Sequence, residues 1–152
     1  MTKPVRIILD ILILLTLVFI WGNSMLSAPQ SNELSISVVE KTEDILGISR
    51  PESHDESDSI IKIIRKSAHA IEFFVLGSLL ALRMFNDRLM PAAAFVLSAC
   101  VGVMDECIQI FSDRTQSVKD VFIDCGGAAA GILVIMLIGL FIRLHKTKTG
   151  SQ

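Results

Sequence analysis

Long apolar runs alternate with short polar segments along this chain, and the length of these runs is its most informative feature. A helix needs about 20 mostly apolar residues to cross the hydrocarbon of a bilayer, and four runs approach that length. The pattern therefore predicts an all-α protein, a multi-pass bundle of about four transmembrane helices that forms one membrane domain over residues 1–152. The predicted spans are residues 5–26, 68–85, 89–111 and 118–144.

The segment between the first two apolar runs, residues 30–65, has a different composition. It is rich in serine, aspartate and glutamate, while Leu34, Val38, Ile45 and Leu46 recur near helical spacing. We predict one or two short amphipathic helices that lie on the extracytoplasmic surface of the membrane. A flexible acidic loop is the alternative interpretation.

Composition supports a lipid environment and excludes one class of partner. The chain is 51% hydrophobic, with a mean hydropathy of +0.59, which is high for a soluble domain. The formal net charge is -2, and there is no basic patch with interleaved aromatic residues, so nucleic acid is excluded as a partner. We expect the lipid bilayer as a partner. No pattern indicates a cofactor, a bound metal or an oligomeric state.

The first apolar run has the layout of a secretory signal peptide as well as that of a membrane anchor. Lys3 and Arg6 precede most of the run, and the small residues Ser27 and Ala28 follow it, as they do in cleaved signals. We favour an uncleaved anchor because the run is long enough to span a bilayer. Either way, the segment that follows lies outside.

The three cysteines of the chain lie within apolar runs. Cys100, Cys107 and Cys125 form no CxxC pair, and their number is odd. We predict that they are small buried apolar side chains and that a disulfide between Cys107 and Cys125 does not form.

The distribution of lysine and arginine predicts the orientation in the membrane. Cytoplasmic segments carry an excess of these residues. They occur at the N-terminus, around the connection of the second and third runs, and in the tail: Lys3, Arg6, Arg83, Arg88, Arg143, Lys146 and Lys148. With four spans these segments share one side, so we predict that both termini are cytoplasmic.

Polar residues gather near the extracytoplasmic ends of the last three predicted spans. At about 1.5 Å of rise per residue, eight of them fall in the outer third of the membrane or at its surface. They are Lys66, His69, Glu72, Asp105, Glu106, Gln109, Asp120 and Asp124. A charged side chain at mid-membrane costs about 2.5–3.5 kcal/mol on insertion scales, so we expect these residues to face inward, around a polar pocket that opens outward.

Helical spacing places these residues on common faces that continue into small residues. Residues three or four positions apart share a helix face. The third span aligns Ser98 and Gly102 with Asp105 or Glu106 and with Gln109, and the fourth aligns its aspartates with glycines 127 and 131. The two glycines form a GxxxG step, which allows close approach of helices.

Three chemistries fit this set of residues. Cations at the mouth of the pocket could hold an anionic headgroup or phosphate: Arg65, Lys66, Arg114 and Lys119. Histidine with carboxylates could bind a divalent metal, although no spacing matches HExxH. His69 and a carboxylate could also act as base and acid, which makes catalytic candidates of His69, Glu72, Asp105 and Glu106. A purely structural role, in which the cations neutralise the carboxylates, is the further alternative.

Three ordered motifs resemble the VanZ-like family of membrane proteins. Residues 65–73 read R-K-S-A-H-A-I-E-F and resemble the family's R-K-x-x-H-x-x-E-aromatic signature. Residues 105–111 read D-E-C-I-Q-I-F and resemble D-E-x-x-Q-x-F, and Arg114, Ser117 and Asp120 match R-x-x-S-x-x-D. Phe73 stands where the family more often has tyrosine, and Asp124 where it more often has asparagine.

The resemblance implies a bacterial cell-envelope protein in the cell membrane. The family is named for a protein associated with reduced sensitivity to the glycopeptide antibiotic teicoplanin. We expect this chain to bind an anionic or lipid-linked cell-wall component in its outward-facing pocket. A membrane-embedded hydrolase or transferase acting at the outer leaflet is the alternative, and a transporter ranks last because polar residues are rare deeper in the spans. The expected ligand-binding residues are Lys66, His69, Glu72, Asp105, Glu106, Gln109, Arg114, Ser117, Asp120 and Asp124.

Overall fold

A computed structural model describes residues 2–25, 33, 36–37, 54–85, 89–110 and 118–149 of the chain. Four long helices account for nearly all of these residues. They are α1 (Lys3–Ser24), α2 (His54–Arg83), α3 (Met90–Ile110) and α4 (Val118–Thr149). The prediction of an all-α helical bundle is confirmed.

Among the described helices, α1, α3 and the Asp120–Lys146 part of α4 are long and apolar enough to cross a membrane. Helix α2 is not in this group, because Lys66, His69 and Glu72 interrupt its apolar stretch on one side and Arg83 on the other. The crossing predicted for residues 68–85 therefore stays a prediction.

Helix α2 begins at His54, well before the predicted start at residue 68. The last part of the acidic segment is thus continuous with α2 and is not a separate surface helix. Most of the remaining segment, residues 34–35 and 38–53 included, lies outside the described residues.

Helices α2 and α4 pack closely because small residues face each other along their contact. A Cβ atom on Gly127 would collide with the carbonyl oxygen of Ala70, and one on Gly77 would lie 2.5 Å from the carbonyl oxygen of Ala128. Gly131 lies equally close to the backbone of Phe74. In lipid, helices associate through such close van der Waals packing. The GxxxG step of α4 therefore lies in this contact.

The buried apolar residues form two clusters along the bundle. One contains Ile20, Phe73, Leu76 and Ala128, and it joins α1, α2 and α4. The other contains residues of α2, α3 and α4 nearer the opposite end: Ala81, Met90, Ala94, Ile132 and Ile135. Large apolar side chains also cover the outer faces of α1 and α4, as expected for surfaces that contact lipid.

The cysteine prediction is wrong in part. Cys100 and Cys107 are exposed and Cys125 is partly buried, and all three are free thiols. Cys100 and Cys107 lie seven positions apart, on a face of α3 opposite to the one that carries Asp105 and Gln109. A thiol is apolar enough to face hydrocarbon, so burial in the protein is not required.

Candidate functional site

Polar side chains from all four helices meet at one end of the bundle, which we call the polar end. It comprises the last turn of α1, residues 66–72 of α2, residues 105–109 of α3 and the first turns of α4. The opposite end carries an ion pair between Arg83 Nε and Asp10 Oδ1, at 2.6 Å. Because the four helices run alternately up and down, the last turns of α1 and α3 lie beside the N-terminal parts of α2 and α4 at the polar end.

Helix α1 contributes two residues that sequence reasoning missed. Asn23 Nδ2 donates a hydrogen bond to Glu72 Oε1 at 2.7 Å, and the Ser24 hydroxyl donates one to Asp105 Oδ1 at 2.5 Å. The polar end is therefore built from four helices, whereas the sequence predicted three. The signal in the sequence is the adjacent polar pair that ends an otherwise apolar run.

Asp105 lies at the centre of a buried hydrogen-bond network. Gln109, one helical turn further along α3, donates from Nε2 to Asp105 Oδ2 at 2.9 Å and to the Ser24 hydroxyl oxygen at 3.4 Å. Both carboxylate oxygens of Asp105 thus accept a hydrogen bond from a neutral donor. Ser24, Asp105 and Gln109 are all buried, so this network fixes α1 against α3.

His69 and Glu72 are neighbours on one face of α2. His69 Nδ1 lies 3.6 Å from Glu72 Oε2. At this distance the two side chains form an ion pair only when the imidazole is protonated. Both side chains are largely buried. Glu72 therefore lies between the imidazole of its own helix and the Asn23 amide of α1.

Lys66 and Asp120 form an ion pair at the rim of the polar end. Lys66 Nζ lies 2.8 Å from Asp120 Oδ1, and the side chains are 41% and 29% exposed. Asp120 is in the first turn of α4, and its carboxylate binds a lysine of α2. The pair joins α2 to α4 where solvent or headgroups can reach it.

Asp124 lies one turn below Asp120 and is almost fully buried. Its side chain is 3% exposed, and its Oδ1 makes no hydrogen bond to any residue in the described part of the chain. The carboxylate points toward α3, where a Cβ on Gly102 would lie 3.6 Å from Asp124 Oδ2. Four further carboxylates lie within electrostatic range of it: Glu72, Asp105, Glu106 and Asp120.

The structure brings eight of the ten expected ligand-binding residues to the polar end. They are Lys66, His69, Glu72, Asp105, Glu106, Gln109, Asp120 and Asp124. Arg114 and Ser117 lie outside the described residues. Within α3, the buried face carries Asp105 and Gln109, while Glu106 is partly buried beside it. The arrangement can offer hydrogen-bond acceptors, negative charge and one partly exposed ammonium group to a ligand.

The metal alternative receives no support from the described helices. Across residues 2–25, 54–85, 89–110 and 118–149, no three histidine, cysteine, aspartate or glutamate side chains are grouped as a metal site requires. Glu72, Asp105 and Asp120 instead accept hydrogen bonds from asparagine, serine, glutamine and lysine.

Comparison with known proteins agrees with the motifs of α2, α3 and α4. No curated protein and no solved structure matches the chain. The model of the VanZ/LLP1 family matches residues 9–139, which include all four helical cores and every described residue of the polar end. The chain therefore belongs to the VanZ/LLP1 family of proteins.

Proposed function

We propose that this membrane protein binds a lipid-linked cell-wall component, or another anionic molecule of the bacterial cell envelope, at its polar end. The observation that carries the proposal is the convergence of polar side chains from four helices at one end of an apolar bundle. Ionisable groups inside a membrane protein are costly, and they usually mark a functional site.

Lys66 is the described residue best placed to contact an anionic group. It is partly exposed at the rim, and a lysine ammonium binds phosphate oxygens as a compact charge. An arriving anion would have to compete with Asp120 for this ammonium. Arg114, which precedes α4 in the sequence and belongs to the family motif, is the second cation that we assign to the anion.

Binding of polyprenyl phosphate to the purified protein in detergent tests this proposal. Polyprenol, which has the same tail and no phosphate, is the matched control ligand. We expect the Lys66→Ala/Arg114→Ala variant to bind polyprenyl phosphate at least tenfold more weakly than wild type. The Lys3→Ala variant, which removes a cation from the other end of α1, should bind as wild type does.

Two results of this experiment would contradict the proposal. Equal affinity for polyprenyl phosphate and polyprenol would show that the anionic group is not recognised. Equal affinity of the wild type and the double variant would remove both cations from the site.

A membrane-embedded hydrolase or transferase is the second candidate, and the proximity of His69 to Glu72 favours it. An imidazole beside a carboxylate in a largely buried site is a common acid–base arrangement. The variants Glu72→Gln and Asp105→Asn distinguish the two functions. An enzyme should lose nearly all turnover in either variant at unchanged expression, whereas a binding protein should keep partial affinity.

We further propose that the polar end faces outward and that occupation of it changes sensitivity to teicoplanin. The family resemblance supports the link to this antibiotic, and the positions of lysine and arginine support the orientation. Expression of the wild-type chain in a susceptible bacterium should raise the inhibitory concentration of teicoplanin relative to the empty vector. Expression of the Lys66→Ala/Arg114→Ala variant at the same level should not.

A further inference from the structure

The hydrogen bonds of the polar end leave a buried oxygen of Asp124 unfilled. Asp124 is 3% exposed, and within the described part of the chain its Oδ1 has no donor. A buried polar atom without a hydrogen bond destabilises the folded state, and more so when it is charged. Such an atom at a candidate binding site points to a ligand that supplies the missing donor.

Four donors of the polar end are engaged with other carboxylates. The Asn23 amide binds Glu72, Ser24 and Gln109 bind Asp105, and the Lys66 ammonium binds Asp120. Turning any of these groups toward Asp124 would leave another buried or half-buried carboxylate unsatisfied. Asp124 Oδ1 is therefore open to a donor from a bound molecule.

The charge around Asp124 specifies the kind of donor. Glu72, Asp105, Glu106 and Asp120 lie within electrostatic range of its carboxylate. Clustered carboxylates in a medium of low dielectric constant attract a cation strongly. Among the side chains that the structure describes, no three histidine, cysteine, aspartate or glutamate residues are grouped as a metal site requires.

We propose that Asp124 receives a primary ammonium group of the molecule bound at the polar end. The inference rests on the proposed function, because it specifies the headgroup that the same site takes. A primary ammonium group carries one positive charge and three N–H donors, so it supplies both the charge and the hydrogen bond that Asp124 lacks. The amine comes either from a lipid headgroup or from a small water-soluble molecule.

The depth of Asp124 is compatible with entry from the membrane surface. It lies four residues below Asp120, which corresponds to about 6 Å along α4. The pair of Asp120 with Lys66 above it is partly exposed, so this is the side from which an amino group would approach Asp124.

Three short-chain phospholipids in detergent test the inference, because they differ in the headgroup alone. Phosphatidylethanolamine offers a charged donor, phosphatidylcholine a charge without a donor, and phosphatidylglycerol neutral hydroxyl donors. We expect the wild-type protein to bind phosphatidylethanolamine at least tenfold more tightly than the other two. The Asp124→Asn variant should lose this preference, while Asp10→Asn, which removes a carboxylate at the opposite end, should keep it.

Competition by free ethanolamine identifies the source of the amine. Displacement of phosphatidylethanolamine by millimolar ethanolamine supports a water-soluble amine, and resistance to it supports a lipid amine. Equal affinity of the wild type for phosphatidylethanolamine and phosphatidylcholine would overturn the inference, and this comparison needs no variant, so it holds even if Asp124→Asn does not fold. If polyprenyl phosphate still binds in that case, the proposed function stands while the inference about the amine fails.

Discussion

The hydroxyl of Ser24 donates a hydrogen bond to Asp105 Oδ1 across 81 positions of the sequence, at a distance of 2.5 Å. This bond ties the last turn of α1 to the polar face of α3. It also places α1 within the candidate site, because Asp105 is the carboxylate that Gln109 binds from the other side. The first helix is therefore part of the polar end as well as a membrane anchor.

Loss of the Ser24 hydroxyl should destabilise the bundle. The Ser24→Ala variant leaves Asp105 Oδ1 without this donor in a buried position, which costs about 1–3 kcal/mol. Thr16→Val is the matched control, because the Thr16 hydroxyl is exposed and binds the carbonyl oxygen of Leu12 in its own helix. Unfolding in a detergent titration can be followed by the fluorescence of Trp21, the single tryptophan of the chain. Equal losses of stability in both variants would contradict the structural role of this bond.

Replacement by alanine should have opposite effects on the free energy of unfolding at two adjacent glycines of α4. A Cβ on Gly127 would collide with the carbonyl oxygen of Ala70, whereas one on Gly126 would meet nothing within 4 Å. Overpacking of this kind costs about 1–3 kcal/mol, so Gly127→Ala should lower the free energy of unfolding by that amount. Gly126→Ala should leave it unchanged or raise it, because alanine is the better helix former by about 1 kcal/mol. Similar stabilities of the two variants would show that α2 and α4 do not approach at this glycine.

The features of the fold that follow from local periodicity could be predicted from the sequence. The spacing of three and four residues predicts that Ser98 and Gln109 share a face with Asp105 or Glu106, and in the structure Ser98, Asp105 and Gln109 are the buried ones. The length of the apolar runs predicts α1, α3 and α4 to within a few residues at most ends. Both signals depend on the geometry of a single helix, which is why they can be derived from one sequence.

The features that depend on which helices pack against each other could not be predicted in this way. Asn23 and Ser24 carry no charge and lie at a helix end, where polar residues commonly face headgroups or water. Their bonds to Glu72 and Asp105 depend on how α1 packs against α2 and α3, which no local pattern specifies. The early start of α2 at His54 was missed for a related reason, since acidic residues allow either a helix N-terminus or a loop.

The orientation proposed for the bundle predicts which ends a membrane-impermeant maleimide reaches. In a background where Cys100, Cys107 and Cys125 are replaced by serine, a cysteine is introduced by Met25→Cys or by Leu144→Cys, both at exposed positions. Met25 lies at the polar end of α1 and Leu144 near the opposite end of α4. Intact cells should label the first variant alone, and permeabilised cells should label both. The reverse pattern would invert the topology and place the polar end in the cytoplasm.

Lys66 should contribute little to stability through its ion pair with Asp120, and much more to ligand affinity. Because the two side chains are 41% and 29% exposed, solvent screens their attraction, and such pairs typically contribute about 0.2–1 kcal/mol. A double-mutant cycle with Lys66→Ala and Asp120→Asn should therefore give a coupling in this range, smaller still at high salt. Asp120→Asn alone should leave Lys66 more available and increase affinity for polyprenyl phosphate. If Lys66→Ala instead lowers the free energy of unfolding by several kcal/mol and leaves affinity unchanged, the lysine has a structural role and the anion is bound elsewhere.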